Sequence, residues 1–197
     1  LKKITSIFSA CAILCLSACH SQDKNTLKVG TIAGPETELM EVAKQVAHDQ
    51  YGLSVDLVEF TDYLEPNTAL NDGSLNVNVF QHQPFLDQQN HDRGYKLISV
   101  GKTFIYPMGI YSVKIKALHE LKTDDLVAIP NDPSNEGRAL LLLQKAGVIE
   151  LKPNAGLFAT PLSIEKNPKH LKFKELDAAQ LARSLPDVSI AVINTNY

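Results

Sequence analysis

Apolar positions along the chain switch between a period of two and a period near 3.6, and the switches mark out the elements. Residues 27–31 are a short apolar run that predicts a buried strand, and Gly34 and Pro35 mark a turn after it. From 37 to 51, Leu39, Val42, Ala43, Val46 and Ala47 recur on one face at helical spacing. Glu36 and Glu38 lie near the positive end of that helix and Gly52 follows its last turn. Residues 53–60 return to period two, Val55, Leu57 and Glu59 alternating with Asp56, Val58 and Phe60. A short helix over 66–72, closed by Gly73, and a strand over 75–80 complete a β-α-β-α-β order. Such an order builds a parallel sheet with helices across its faces.

The middle of the chain is less regular. Strands are predicted over 97–104 and 109–113, interrupted at Pro107, with one helical turn over 118–121; this stretch reads as a crossover between lobes. The first pattern then returns, with a strand over 126–129 that ends at Pro130. A helix follows over 135–146, with Ser134 as N-cap, Glu136 in the first turn, Lys145 in the last and Gly147 beyond it. A strand over 171–176, a helix over 178–185 capped by Asp177, and a last strand over 189–193 close the chain. The two halves share an architecture but no sequence repeat. The expected fold class is therefore α/β in two lobes, each a mainly parallel sheet flanked by helices. The first lobe covers 27–104; the crossover and second lobe cover 105–197.

Ligands of open α/β sheets bind beyond the carboxyl ends of the strands. Gly34, Tyr63, His82, residues 131–138 and Asn194 all follow predicted strands. Arg138 lies in the first turn of a helix beside Asn131, Asp132, Ser134 and Asn135. Helix N-terminal amides attract anions, and a guanidinium grips a carboxylate with two parallel bonds. Together they predict a site for an amino-acid or organic-acid carboxylate, the alternative being a solvated arginine paired with Glu136 or a neighbour. Tyr63, Phe80 and His82 stand at strand ends of the first lobe, where aromatic faces suit a thioether or aliphatic side chain. Alternatively Phe80 is plain core and His82 a satisfied surface histidine.

The 197 residues carry 19 basic and 22 acidic side chains, a net charge of −3 with no long block of like charge, so no nucleic-acid partner is expected. The three cysteines, Cys11, Cys15 and Cys19, all lie near the N-terminus, leaving no thiol elsewhere for a disulfide, a zinc-thiolate site or a nucleophile. His82, His91, Asp87 and Asp92 are metal-ligating types without a compact motif, and no cofactor is expected. Neither a G-x-S-x-G, an H-E-x-x-H nor a P-loop occurs. A binding-fold enzyme acting on an amino or keto acid is the competing class, but no acid–base pair stands out, so the expectation is a non-enzyme.

Lys2 and Lys3 precede a mostly apolar stretch over 4–16, within the range of a secretory leader and too short to span a bilayer. Leu16-Ser17-Ala18-Cys19 then resembles a bacterial lipobox, in which the cysteine is lipidated and becomes the new N-terminus. An ordinary leader with an incidental cysteine is the alternative. The expected organisation is a signal peptide over 1–18, lipidation of Cys19 and a polar tether over 19–26. This would hold the rest of the chain to a membrane of the bacterial envelope, facing the periplasm or the exterior. His20 is permissive of the outer membrane, because an Asp at that place marks inner-membrane retention.

Several short runs together resemble the methionine-binding lipoproteins of the NlpA/MetQ type. They include Leu27-Lys28-Val29-Gly30, Tyr51-Gly52-Leu53, Asp62-Tyr63 with Pro66-Asn67, and Phe80-Gln81-His82-Gln83-Pro84-Phe85-Leu86. Further along come Asp92-Arg93-Gly94-Tyr95, Lys102-Thr103-Phe104-Ile105-Tyr106-Pro107, Ile129-Pro130-Asn131-Asp132-Pro133-Ser134-Asn135 with Gly137-Arg138-Ala139-Leu140, and Ala191-Val192-Ile193-Asn194-Thr195-Asn196-Tyr197. Each run is weak alone; their order and spacing are specific.

The resemblance implies a periplasmic-binding fold that closes around L- or D-methionine and serves the permease and ATPase subunits of an ABC importer. Arg138 would clamp the carboxylate with Asn135 beside it, Asn194 would hold the ligand's polar end, and Tyr63, Phe80 and His82 would line the side-chain pocket. Members of that family continue past the place of Tyr197 and return to the first lobe. The expectation here is a chain lacking the C-terminal part of lobe 1. The alternative function is a truncated, non-transporting membrane lipoprotein with weak or no ligand binding.

Overall fold

The structure, a computed structural model, describes residues 26–197; the predicted leader, Cys19 and the tether up to residue 25 lie outside the described residues. The first sheet has three strands, all parallel. Its central strand β1 (Thr26–Ile32) pairs along its whole length with β2 (Ser54–Phe60), and Val29 and Gly30 pair with the two-residue β3 (Val77–Asn78). Gly30 fits this close packing: a Cβ there would come within 2.5 Å of Leu75 Cδ1 and 3.2 Å of Phe60 Cε2, so both side chains would have to shift. The strand predicted over 75–80 thus shrinks to β3.

Between β1 and β2 runs α1 (Pro35–Tyr51), which starts two residues earlier than expected because Pro35 fits the first helical turn. Gly52 ends it in the left-handed conformation at φ 63° and donates its N–H to His48 O at 3.0 Å. The half-buried positions on its shaft are Met40, Lys44 and Ala47. The stripe read from sequence is rotated away from them: Leu39, Val42 and Val46 are 45 %, 62 % and 40 % exposed. The helix carries apolar residues on two sides, and the described residues cover only one.

After β2 comes α2 (Glu65–Asn71), within one residue of its predicted limits. An unpredicted helix, α3 (Gln83–Arg93), follows β3; it buries only Phe85, Leu86 and Gln89, too few apolar positions to stand out in a polar sequence. The strand predicted over 97–104 does not form. Ile98 and Val100 are 80 % and 81 % exposed, and among the described residues no strand lies alongside to pair with them. Asn90 ties down the start of this segment, donating Nδ2 to Leu97 O at 2.8 Å and accepting Leu97 N–H at 3.1 Å.

The second sheet is built from β4 (Met108–Tyr111), β5 (Leu126–Pro130), β8 (Lys172–Leu176) and β9 (Ile190–Asn194) in the order β4-β9-β5-β8. β5 lies parallel to β8 and β9, and β4 runs antiparallel to β9 at the edge. Val127 and Ile129 of β5 pack with Leu140 and Leu143 of α4 (Pro133–Lys145) on one face. Ala128, Ala191 and Ile193 pack with Leu181 of α5 (Leu181–Ser184) on the other. Both faces are covered, as a mainly parallel sheet requires. β6 (Glu150–Leu151) and β7 (Ile164–Lys166) form a separate antiparallel pair.

The N-cap of α4 is Asp132 rather than Ser134. Its carboxylate accepts the Asn135 N–H at 2.9 Å, Pro133 occupies the first turn, and the Ser134 hydroxyl donates to the same carboxylate at 2.8 Å. Asp177 is a cap, as expected, but of a 3-10 turn over Ala178–Gln180 that leads into the shorter α5. Two such sheets, each flanked by helices, make an α/β fold.

Candidate binding site

One cavity opens where the segments after β1, β2, β3, β5 and β9 meet residues 103–107. All six residues singled out from sequence, Tyr63, Phe80, His82, Asn135, Arg138 and Asn194, line it. Their polar atoms converge on one point. Asn135 Oδ1 accepts from Arg138 Nη1 at 2.8 Å, from Asn194 Nδ2 at 3.0 Å and from His82 Nε2 at 3.2 Å. Asn135 is aimed by Asp132, whose carboxylate oxygens take its Nδ2 at 3.0 and 2.9 Å. The N-cap that starts α4 therefore also sets the amide at the centre of the cavity.

His82 is the N-cap of α3. Its Nδ1 accepts the Phe85 N–H at 3.1 Å, which leaves Nε2 as the protonated nitrogen that donates to Asn135. Burial, and then the charge of Arg138, push the imidazole below its ordinary pKa, so the ring is neutral at pH 7. The Arg138 guanidinium also donates Nη2 to Tyr106 O at 3.0 Å. Burial lowers its pKa, but a guanidinium stays charged in any accessible range. Among the described residues Arg138 makes no ion pair, so the pairing with Glu136 considered from sequence does not occur.

An aromatic wall faces this polar cluster. The Tyr63 ring lies 6.0 Å from Phe80, 6.0 Å from Phe85 and 5.2 Å from Tyr197, centroid to centroid. The Tyr63 hydroxyl donates to Asn196 Oδ1 at 2.8 Å, and burial pushes its pKa far up. Phe80 thus belongs to a cavity wall rather than to a sealed core. Among the described residues no group of three or more His, Cys, Asp or Glu side chains is placed to hold a metal, and His91 pairs with Asp92 at 2.8 Å on the surface.

Sequence reasoning did not single out Glu36, Phe85, Tyr106 or Asn196 as lining residues. Phe85, Tyr106 and Asn196 fall within the family-like runs. The sequence presents Glu36 as a complement to the helix dipole, yet it also follows a strand end, by the rule that selects Tyr63 and His82.

Comparison with known proteins adds three relatives. The D-methionine-binding lipoprotein MetQ of Salmonella typhimurium is 54 % identical over 200 residues, covering 100 % of this chain and 74 % of the relative. A periplasmic substrate-binding protein of an ABC transporter from Coxiella burnetii is 62 % identical with a TM-score of 0.84, over 87 % of this chain and 72 % of that one. A nutrient-binding protein from Burkholderia cenocepacia, its structure bound to methionine, is 56 % identical with a TM-score of 0.84, over 87 % and 72 %. The family model described as NlpA lipoprotein matches residues 27–197, and with that match along the whole described fold the chain belongs to the NlpA lipoprotein family.

Proposed function

We propose that this chain is a methionine-binding lipoprotein of the bacterial cell envelope. It captures L- or D-methionine between its lobes, 27–104 and 105–197, and delivers it to the permease and ATPase of an ABC importer. Lipidation at Cys19 after removal of 1–18 anchors it, with 19–26 as tether. The family is one of substrate-binding proteins, not enzymes.

The observation that carries the reading is the crowding at Asn135 Oδ1. Three donors compete there for one amide oxygen, which has two lone pairs. A ligand carboxylate offers about four acceptor sites and relieves that competition. In this reading Arg138 clamps the carboxylate, Asn135 and Asn194 hold the polar end, and Tyr63, Phe80 and the neutral His82 form the side-chain pocket. A thioether suits aromatic edges, with sulfur–aromatic contacts adding roughly 0.3–1.5 kcal/mol each.

The test is thermal unfolding of the purified chain with and without L-methionine. A ligand that binds only the native state at about 100 times its Kd adds about 2.7 kcal/mol, so the midpoint rises with methionine and not with a size-matched ligand lacking a carboxylate. The second reading, a non-transporting lipoprotein with weak or no binding, is favoured by the uncovered stripe of α1 and the exposed residues near 98–105. A cooperative transition that methionine leaves in place supports it and sinks the first.

A further inference from the structure

We infer that Glu36 is the cation-recognising pole of the cavity, taking the ammonium group of a zwitterionic ligand whose carboxylate Arg138 holds. The inference rests on the amino-acid reading of the site. Glu36 stands in the first turn of α1, is 3 % exposed and lines the same cavity as Arg138. Its side chain accepts one side-chain hydrogen bond, from Asn196 Nδ2 at 3.3 Å, and among the described residues no Lys, Arg or His pairs with it. A second acceptor in the cavity has no donor at all: Asn194 Oδ1 is buried and unpartnered among the described residues. The cavity therefore holds a cation and a carboxylate that do not pair with each other. A buried carboxylate without a cation is costly, and so is a buried acceptor without a donor. An ammonium group brings one positive charge and three N–H donors, which is what Glu36 and Asn194 Oδ1 lack.

The proton balance gives the inference its signature. The groups whose fields meet at Glu36 are the Tyr63 and Tyr106 phenols, both disfavoured from ionising by it; Glu38 on its own helix also acts on Tyr106, and Arg138, Asp132 and Tyr197 act on Tyr63. Burial pushes Glu36 up to about 7, opposed by the Asn196 bond and a backbone bond at Ile32. Near neutral pH the empty site therefore retains a share of the proton. A bound ammonium favours the carboxylate, so the O–H proton leaves to buffer as the ligand enters. His82, neutral in the empty site, takes up a proton, if any, on carboxylate binding, which is the opposite sign.

Calorimetric titration with L-methionine at pH 7, in phosphate and in Tris, reads the proton count directly; its desamino analogue, 4-(methylthio)butanoate, is the second ligand. The expected result is net proton release on methionine binding, with the analogue bound roughly tenfold or more weaker and without release. Glu36→Gln keeps the shape of the side chain; it should release no proton and bind both ligands within a few-fold of each other, while Glu36→Asp recovers part of the preference. Wild-type protein that binds methionine without proton release overturns the inference, as does a Glu36→Gln variant that still prefers the amine. Wild-type protein that binds neither ligand overturns the amino-acid reading itself, and the inference with it.

Discussion

Glu136 sits two residues before Arg138 in the first turn of α4, as the sequence predicts, yet it does not pair with that arginine. Its carboxyl is buried at 5 % exposure, and burial, then Glu175 and Asp132, push its pKa from 4.5 up to about 7. At low pH the carboxyl is protonated in both folded and unfolded chains. As pH rises past 4.5 the unfolded chain ionises first, while the folded chain keeps its proton until about 7. The native state binds more protons in that window, so stability falls as pH rises through it and levels off above. Glu36 acts with the same sign. Urea unfolding should show Glu136→Gln matching wild type near pH 4 and exceeding it near pH 8; a variant less stable than wild type at pH 8 would refute this. The sequence showed that an acid and a base occupy one helical turn. It could not show that they do not pair, because that depends on Asp132 and Tyr106 O drawing Asn135 and Arg138 into the cavity.

At the level of elements, Gly137 reverses a propensity rule. Alanine is favoured over glycine in a helix interior by about 1 kcal/mol. Here a Cβ at 137 would come within 1.9 Å of Leu157 O and 2.6 Å of Leu157 C, both backbone atoms of the turn that crosses α4. Gly137→Ala must push α4 off that turn, and overpacking of this kind costs about 1–3 kcal/mol. The expected outcome in urea is a net loss of stability together with weaker methionine binding, since Arg138 is the next residue. A stabilised variant would mean the turn yields freely. Elements marked by caps and strong periods, such as α1, α4, β5 and β9, were legible to within a few residues. Those defined by their neighbours were not: β3 is short because only two of its residues reach β1, α3 has a mostly polar sequence, and 97–104 has no partner edge among the described residues.

The two sheets differ most in how far they are covered. Residues of β5 and β9 are almost all buried, whereas β2 reaches at most half-burial and α1 exposes Leu39, Val42 and Val46. The α/β class was readable from element order alone, because order fixes which layers form; coverage of a layer depends on what packs over it. The match to the Salmonella typhimurium relative takes in 74 % of that protein, which leaves about a quarter of its length outside the comparison. If the C-terminal part of a family member folds back over the first lobe, it must bury apolar side chains there, and the stripe of α1 and the exposed Ile98, Val100 and Ile105 are available to it. A substitution distinguishes this from an indifferent surface. In the 197-residue chain Val42→Asp removes an exposed side chain and should change unfolding stability by less than about 0.5 kcal/mol. In the same chain fused to the C-terminal part of a relative, wild-type sequence should unfold at a higher midpoint, and Val42→Asp should cost about 1–3 kcal/mol, the range for placing a polar group in a closed apolar contact. Equal, small effects of Val42→Asp in both chains would show that the added segment packs elsewhere and that this side of α1 faces solvent in the longer protein too.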